Sequence, residues 1–194
     1  MSSVEQQNTV KFQNDSYLVE LTEEALDINQ AYSYLQDPSC GAIYLFLGTV
    51  RKDETDSQGN VVAQVDSLYY ESYDSMAIKT MQKIVANTLA KHDIRKCYVV
   101  HRKGLVGLTE ASLVIGCASV HRQAAFDATH HLLDEIKKNV PIWKRINYSK
   151  QQSSSSPKAS KHSSFDAACC WSQKSEAFWL AEGDGRKSGY NQTG

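Results

Sequence analysis

Positive side chains at four places in the sequence are candidates for chemistry on an anionic ligand. Arg51 leaves the apolar run GAIYLFLGTV, where a buried strand would deliver it. His121 and Arg122 stand where an alternating segment gives way to a helical one, and the unpaired N–H groups and positive dipole end there favour an anion. Lys137 falls in the last turn of that helix, and Lys144 and Arg145 follow Pro141-Ile142-Trp143, a context that fixes side-chain direction. Converging cations depress one another's pKa by like-charge repulsion, which suits a lysine to giving and taking a proton near neutral pH. Each has a plainer reading: a surface ion pair for Arg51, a helix cap for His121, a dipole contact for Lys137 and its neighbour Lys138.

Helix length constrains how these groups converge. His121 and Lys137 are 16 residues apart, which on a straight helix is roughly 24 Å. One small phosphorylated ligand cannot touch both within a single chain. Either one cluster alone is the site, or two copies of the chain each supply one helix end; two-fold dimers, the commonest assemblies, favour the second arrangement.

Other constellations are weaker. His101-Arg102 ends a strand and could join an anionic site or form an edge pair, and His130-His131 lies mid-helix without a third ligand. The cysteines, Cys40, Cys97, Cys117, Cys169 and Cys170, are odd in number and lack zinc spacing, so neither a disulfide framework nor a metal site is expected. No phosphate-binding glycine loop, dinucleotide fingerprint or nucleophile elbow is present, and no cofactor is implied.

Charge is partitioned along the chain. Residues 1–135 carry 11 Lys and Arg against 18 Asp and Glu, whereas residues 136–165 carry seven basic residues and no acid. An acidic body with one cationic segment predicts an anionic ligand at that segment. The segment has only Trp143 and Tyr148 as aromatics, which speaks against a nucleic-acid partner, although RNA binding by residues 137–161 is an alternative with a clear signature in salt dependence. No apolar run nears the roughly 20 residues of a membrane-spanning helix, and the polar start resembles no signal peptide. A soluble, cytosolic protein is expected.

The elements that must position these residues are legible as periodicity. Val10 and Phe12 suggest a short strand; Tyr17, Val19 and Leu21 alternate as another; Ile28 to Leu35 has helical spacing and stops before Pro38. Residues 41–50 read as a central strand, 52–60 as a polar loop, and 62–71 as a long strand. A helix over 74–92 buries Ala77, Met81, Ile84, Val85 and Leu89. A strand over 94–101, a turn at Gly104 and Gly107, a strand through Ala111, Leu113, Ile115 and Cys117, and a helix over 121–139 complete the pattern. Strands come both in pairs and between helices, so the fold class is α+β with a mostly antiparallel sheet packed by helices. The domain limits are a flexible N-terminus over 1–16, a domain over 17–149, a serine-rich linker over 150–166, and a partly docked C-terminal tail over 167–194.

The runs GAIYLFLGTVR, SLYYESYDSMA, HRKGLVGLTEASLVIGCASVHRQAAFDA and LDEIKKNVPIWKR, in this order, closely resemble the large, catalytic subunit of molybdopterin synthase. The likeness covers about residues 40–145. It implies an α/β hammerhead fold and a cytosolic sulfurtransferase of molybdenum cofactor synthesis. It also implies a homodimer of large subunits within a heterotetramer, each end binding a small ubiquitin-like sulfur-carrier subunit. The carrier's C-terminal thiocarboxylate would donate two sulfurs to cyclic pyranopterin monophosphate, giving molybdopterin. By motif, the substrate-binding residues would be Arg51, His121, Arg122, Lys137, Lys144, Arg145 and Ile146, with Lys137 the main catalytic lysine and Lys144 the second. Ile146 stands where that family usually carries an acid. A scaffold that kept the fold without the catalysis is the remaining alternative, motivated by the tail, where the family's tryptophan-lysine element is replaced by Trp171-Ser172 beyond the serine-rich stretch.

Overall fold

The computed structural model describes residues 9–149 and the backbone of a strand at Cys169–Trp171. The expected linker and the rest of the tail lie outside the described residues. Two five-stranded sheets and three helices make up the described residues. The first sheet contains β1 (Val10–Gln13), β2 (Tyr17–Thr22), β3 (Ala42–Thr49), β6 (Lys96–Arg102) and β8 (Ala111–Ser119), in the order β1-β2-β6-β8-β3. Only β2 and β6 run parallel; the other neighbours are antiparallel.

Both faces of this sheet are covered, which explains why β8 is apolar almost without interruption. On one face lies α1 (Ile28–Leu35), capped by Asp27, whose carboxylate accepts the Asn29 N–H at 2.8 Å. Its buried Ala31 and Leu35 pack on Leu18, Tyr98, Val100, Val114 and Ala118. The approach is close: a Cβ built on Gly116 of β8 would stand 2.5 Å from Leu35 Cδ1 and 2.7 Å from Leu45 Cδ2. On the other face lie α2 (Asp74–Lys91) and α3 (Arg122–Asn139). Their buried stripes, Ala77, Met81, Ile84 and Val85 on α2 and Ala125, Ala128, Leu132 and Ile136 on α3, meet Val19, Val99, Leu113 and Ile115 in the main core. Leu89 and Leu133 are only partly buried at its margin.

Within that core Cys97 of β6 and Cys117 of β8 are register partners, both fully buried with free thiols. The thiols hydrogen-bond each other, and burial pushes that of Cys97 well up from its usual value.

The second sheet is built on the 12-residue β5 (Val61–Ser72), with β4 (Asp53–Thr55) on one side and β9 (Ile142–Tyr148) on the other; β10 (Cys169–Trp171) extends β9. A short β7 (Gly104–Gly107) also pairs with β5, beginning at Gly104 with φ of 75°.

Three sequence expectations are corrected here. The run over 41–50 is an edge strand, not a central one, because β8 is its only partner among the described residues. The glycines at 104 and 107 bound a paired strand instead of a turn. The polar loop contains β4, closed by a turn in which Asp56 accepts hydrogen bonds from the Gln58 and Asn60 N–H groups, each at 2.9 Å. The α+β class with mostly antiparallel pairing holds.

Candidate functional site

Where the two sheets meet, the end of β3 and the inner face of the second sheet enclose a cleft of about 540 Å³. Each element delivers its side chain for a local reason. Arg51 emerges from β3 at a point pinned by two backbone hydrogen bonds, Thr109 N–H to Val50 O at 2.8 Å and Val50 N–H to Glu110 O at 3.2 Å. Thr109 has φ of 68°, a left-handed conformation that β-branched residues rarely adopt, so the turn carrying this pin is itself strained. Lys137 sits on the last turn of α3, which Pro141 ends; the chain then enters β9 within two residues. That reversal brings Lys137 and Lys144 to one cleft.

Alternation along β9 decides the rest. Lys144 and Ile146, opposite Tyr70 and Leu68 of β5, line the cleft. Arg145, between them, faces away, with its guanidinium 4.8 Å from the Tyr69 ring centroid. Of the seven sequence-derived site residues, Arg51, Lys137, Lys144 and Ile146 therefore share the cleft, and Arg145 does not line it. His121 and Arg122 lie at the opposite end of α3, both exposed, and the His121 side chain makes no capping bond. Among the described residues, Lys144 and Arg145 of the basic run are thus divided between two faces of a sheet.

Behind the cations is a polar floor. His101, 4% exposed, lines the cleft. Its Nδ1 is 2.7 Å from the Arg102 carbonyl. A carbonyl only accepts, so Nδ1 carries the proton of that bond. The Tyr70 ring meets the His101 ring edge-on at 5.0 Å, and its hydroxyl donates to Ser112 Oγ at 3.4 Å, which in turn donates to Gly48 O at 3.2 Å. His101 was a minor option in the sequence; Tyr70 and Ser112 had no signal beyond alternation. Phe46, Leu68, Leu113 and Ile146 give the cleft an apolar wall, and Asp53 and Glu54 of β4 stand at its side. This combination of apolar surface with a few polar anchors and the cations Arg51, Lys137 and Lys144 fits a small anionic ligand. Among the described residues no group of three His, Cys, Asp or Glu side chains could hold a metal ion, and no helix is long and apolar enough to cross a membrane.

Comparison with known proteins shows the family of the chain. The family model described as MoaE protein matches residues 21–139. The chain is 37% identical over 156 residues to molybdopterin synthase catalytic subunit 2 of Aedes aegypti, covering 80% of this chain and 93% of that one. It is 42% identical over 127 residues to the molybdopterin synthase catalytic subunit of Thermoplasma volcanium, covering 66% and 88%. Its fold matches the crystal structure of molybdopterin synthase from Staphylococcus aureus with a TM-score of 0.62 at 26% identity, covering 72% and 95%. The chain therefore belongs to the MoaE family, the catalytic subunits of molybdopterin synthase.

Proposed function

We propose that the cleft binds cyclic pyranopterin monophosphate and the C-terminal tip of a small thiocarboxylated sulfur-carrier subunit, and that two sulfur transfers there yield molybdopterin. The observation that carries this reading is the meeting of Lys137, Lys144 and Arg51 on one apolar-walled cleft, with His121 and Arg122 on the far end of the same helix. A thiocarboxylate beside a phosphate is a concentration of negative charge, and fixed cations stabilise the oxyanion and thiolate that develop as sulfur is transferred. Lys137 is the main catalytic lysine, at the carrier's terminal carbonyl, and Lys144 supplies a second proton or charge contact. Arg51 holds the phosphate together with His121 and Arg122 of a second copy of the chain, since α3 is too long for one copy to bring both ends to one ligand. The assembly is a dimer of these subunits with a carrier at each end, working in the cytosol.

Reconstitution tests this directly. The purified chain, thiocarboxylated carrier and cyclic pyranopterin monophosphate yield molybdopterin, and Lys137→Ala abolishes product while leaving the thermal melt unchanged. Normal turnover by Lys137→Ala would remove the catalytic assignment.

A further inference from the structure

The cleft holds a carboxylate that binding of an anion does not explain. Glu54 is the half-buried residue of β4, beside a bulge between Glu54 and Thr55 where the register with β5 shifts. Bulges commonly re-aim side chains beside functional sites. Its Oε2 accepts the Tyr148 hydroxyl at 2.6 Å, a bond that reaches from β9 across β5. No lysine or arginine among the described residues comes within 4.0 Å of this carboxylate, although Arg51, Lys137 and Lys144 line the same cleft. The charge is held by a neutral donor and is not consumed in an ion pair.

An acid in a cleft for a phosphorylated ligand repels the phosphate unless it serves another part of the ligand. A carboxylate accepts only, and with Oε2 engaged by Tyr148 it retains acceptor positions on both oxygens. Its natural partner is a ligand edge that presents adjacent N–H donors. The 2-amino-4-oxopyrimidine ring of a pterin has such an edge in its 2-amino group and N3–H. Resting on the reading of the cleft as a pterin site, we propose that Glu54, aimed by Tyr148, accepts hydrogen bonds from the 2-amino and N3–H edge of the substrate and so sets its specificity for a pterin. Glu54 takes no part in the sulfur transfer itself.

The test uses the full chain with its carrier. Two ligands are compared: cyclic pyranopterin monophosphate, and the same molecule with a carbonyl in place of the 2-amino group, measured as a competitor. The unsubstituted chain prefers the amino form by about 10- to 100-fold, the usual cost of leaving a charged acceptor facing another acceptor. Glu54→Gln raises KM for the amino form by a similar factor with kcat within about 3-fold, and tightens the oxo form, because the new amide N–H donates to it. Tyr148→Phe keeps the charge but loses its aim, and gives a smaller rise in KM. This reversal of preference is not a consequence of misfolding. Unchanged discrimination in Glu54→Gln overturns the assignment to Glu54 alone. Failure of the unsubstituted chain to make product overturns the pterin reading on which it rests.

Discussion

Lys144 and Arg145 are adjacent in sequence and point to opposite faces of β9, Lys144 into the cleft and Arg145 over the Tyr69 ring. Consecutive cations in one basic motif therefore have different surroundings, and the proposed function gives them different expected effects. Lys144→Ala lowers turnover at saturating substrates by at least about 100-fold, the scale of losing a positioned proton donor or charge contact. Arg145→Ala leaves kcat within about 3-fold and instead costs about 1–2 kcal/mol of stability, the scale of a cation–π contact made by a half-buried arginine. Reconstituted turnover and urea midpoints on the same two proteins separate the effects; an Arg145→Ala enzyme as inactive as Lys144→Ala would contradict this division.

His121 and Lys137 at opposite ends of α3 make complementation a clean probe of the proposed two-chain site. Single variants His121→Ala and Lys137→Ala are each inactive. Unfolded together and refolded as a mixture, they recover about a quarter of normal activity, because half the dimers are mixed and each mixed dimer has one intact site. Activity that stays at the level of the separate variants would show that the two residues do not serve one site.

Acid sensitivity of the fold has an identifiable source. His92, at the end of α2, lies 5.3 Å from the His131 ring. Burial first, and the neighbouring His131 second, hold its pKa below the ordinary 6.5. The unfolded chain thus takes up the proton before the folded one as pH falls, so stability is lost on going down through about 6.5 and levels off below the folded value. Urea midpoints at pH 7.5 and 5.5 detect the loss, and His92→Gln removes most of the difference between them. A second loss follows at lower pH from Asp74. Burial opposes its ionisation, but hydrogen bonds from Lys103 and Ser72 and the lysine's charge prevail and keep its pKa below 3.8, so its contribution disappears as pH falls below that value.

Packing of α1 is set by the missing side chain at Gly116. Gly116→Ala forces Leu35 and Leu45 aside and costs about 1–3 kcal/mol, the range for overpacking a tight core. Leu35→Ala in the same chain opens space for the new methyl group, so the double variant is more stable than the sum of the two single effects predicts. Denaturant titration of the four proteins measures the coupling; strict additivity would mean that Leu35 is not what Gly116 accommodates.

What could be read in advance divides along physical lines. The helices were legible because their buried stripes repeat locally: Ala77, Met81, Ile84 and Val85 recur at helical spacing whatever they pack against. Strand pairing was not, because pairing is decided between distant segments. Residues 41–50 are apolar enough for a central strand yet occupy an edge among the described residues, and β7 looked like a turn because it pairs with a strand more than thirty residues away. The same distinction holds at the site. Lys137 and Lys144 could be named from one local motif, and the role of each in the reaction rests on the experiments above. That Arg145 faces the other way required the register of β9 on β5, and the Glu54–Tyr148 bond, between residues 94 apart, left no trace in local spacing.

The paired thiols of Cys97 and Cys117 offer a clock. Sealed between two central strands beneath α2 and α3, they are out of reach of any alkylating reagent until the main sheet itself comes apart. Labelling of these two positions in native buffer, followed by mass spectrometry, therefore records the rarest and largest opening of the molecule, while the half-exposed Cys40 on the same chain serves as the fast internal reference.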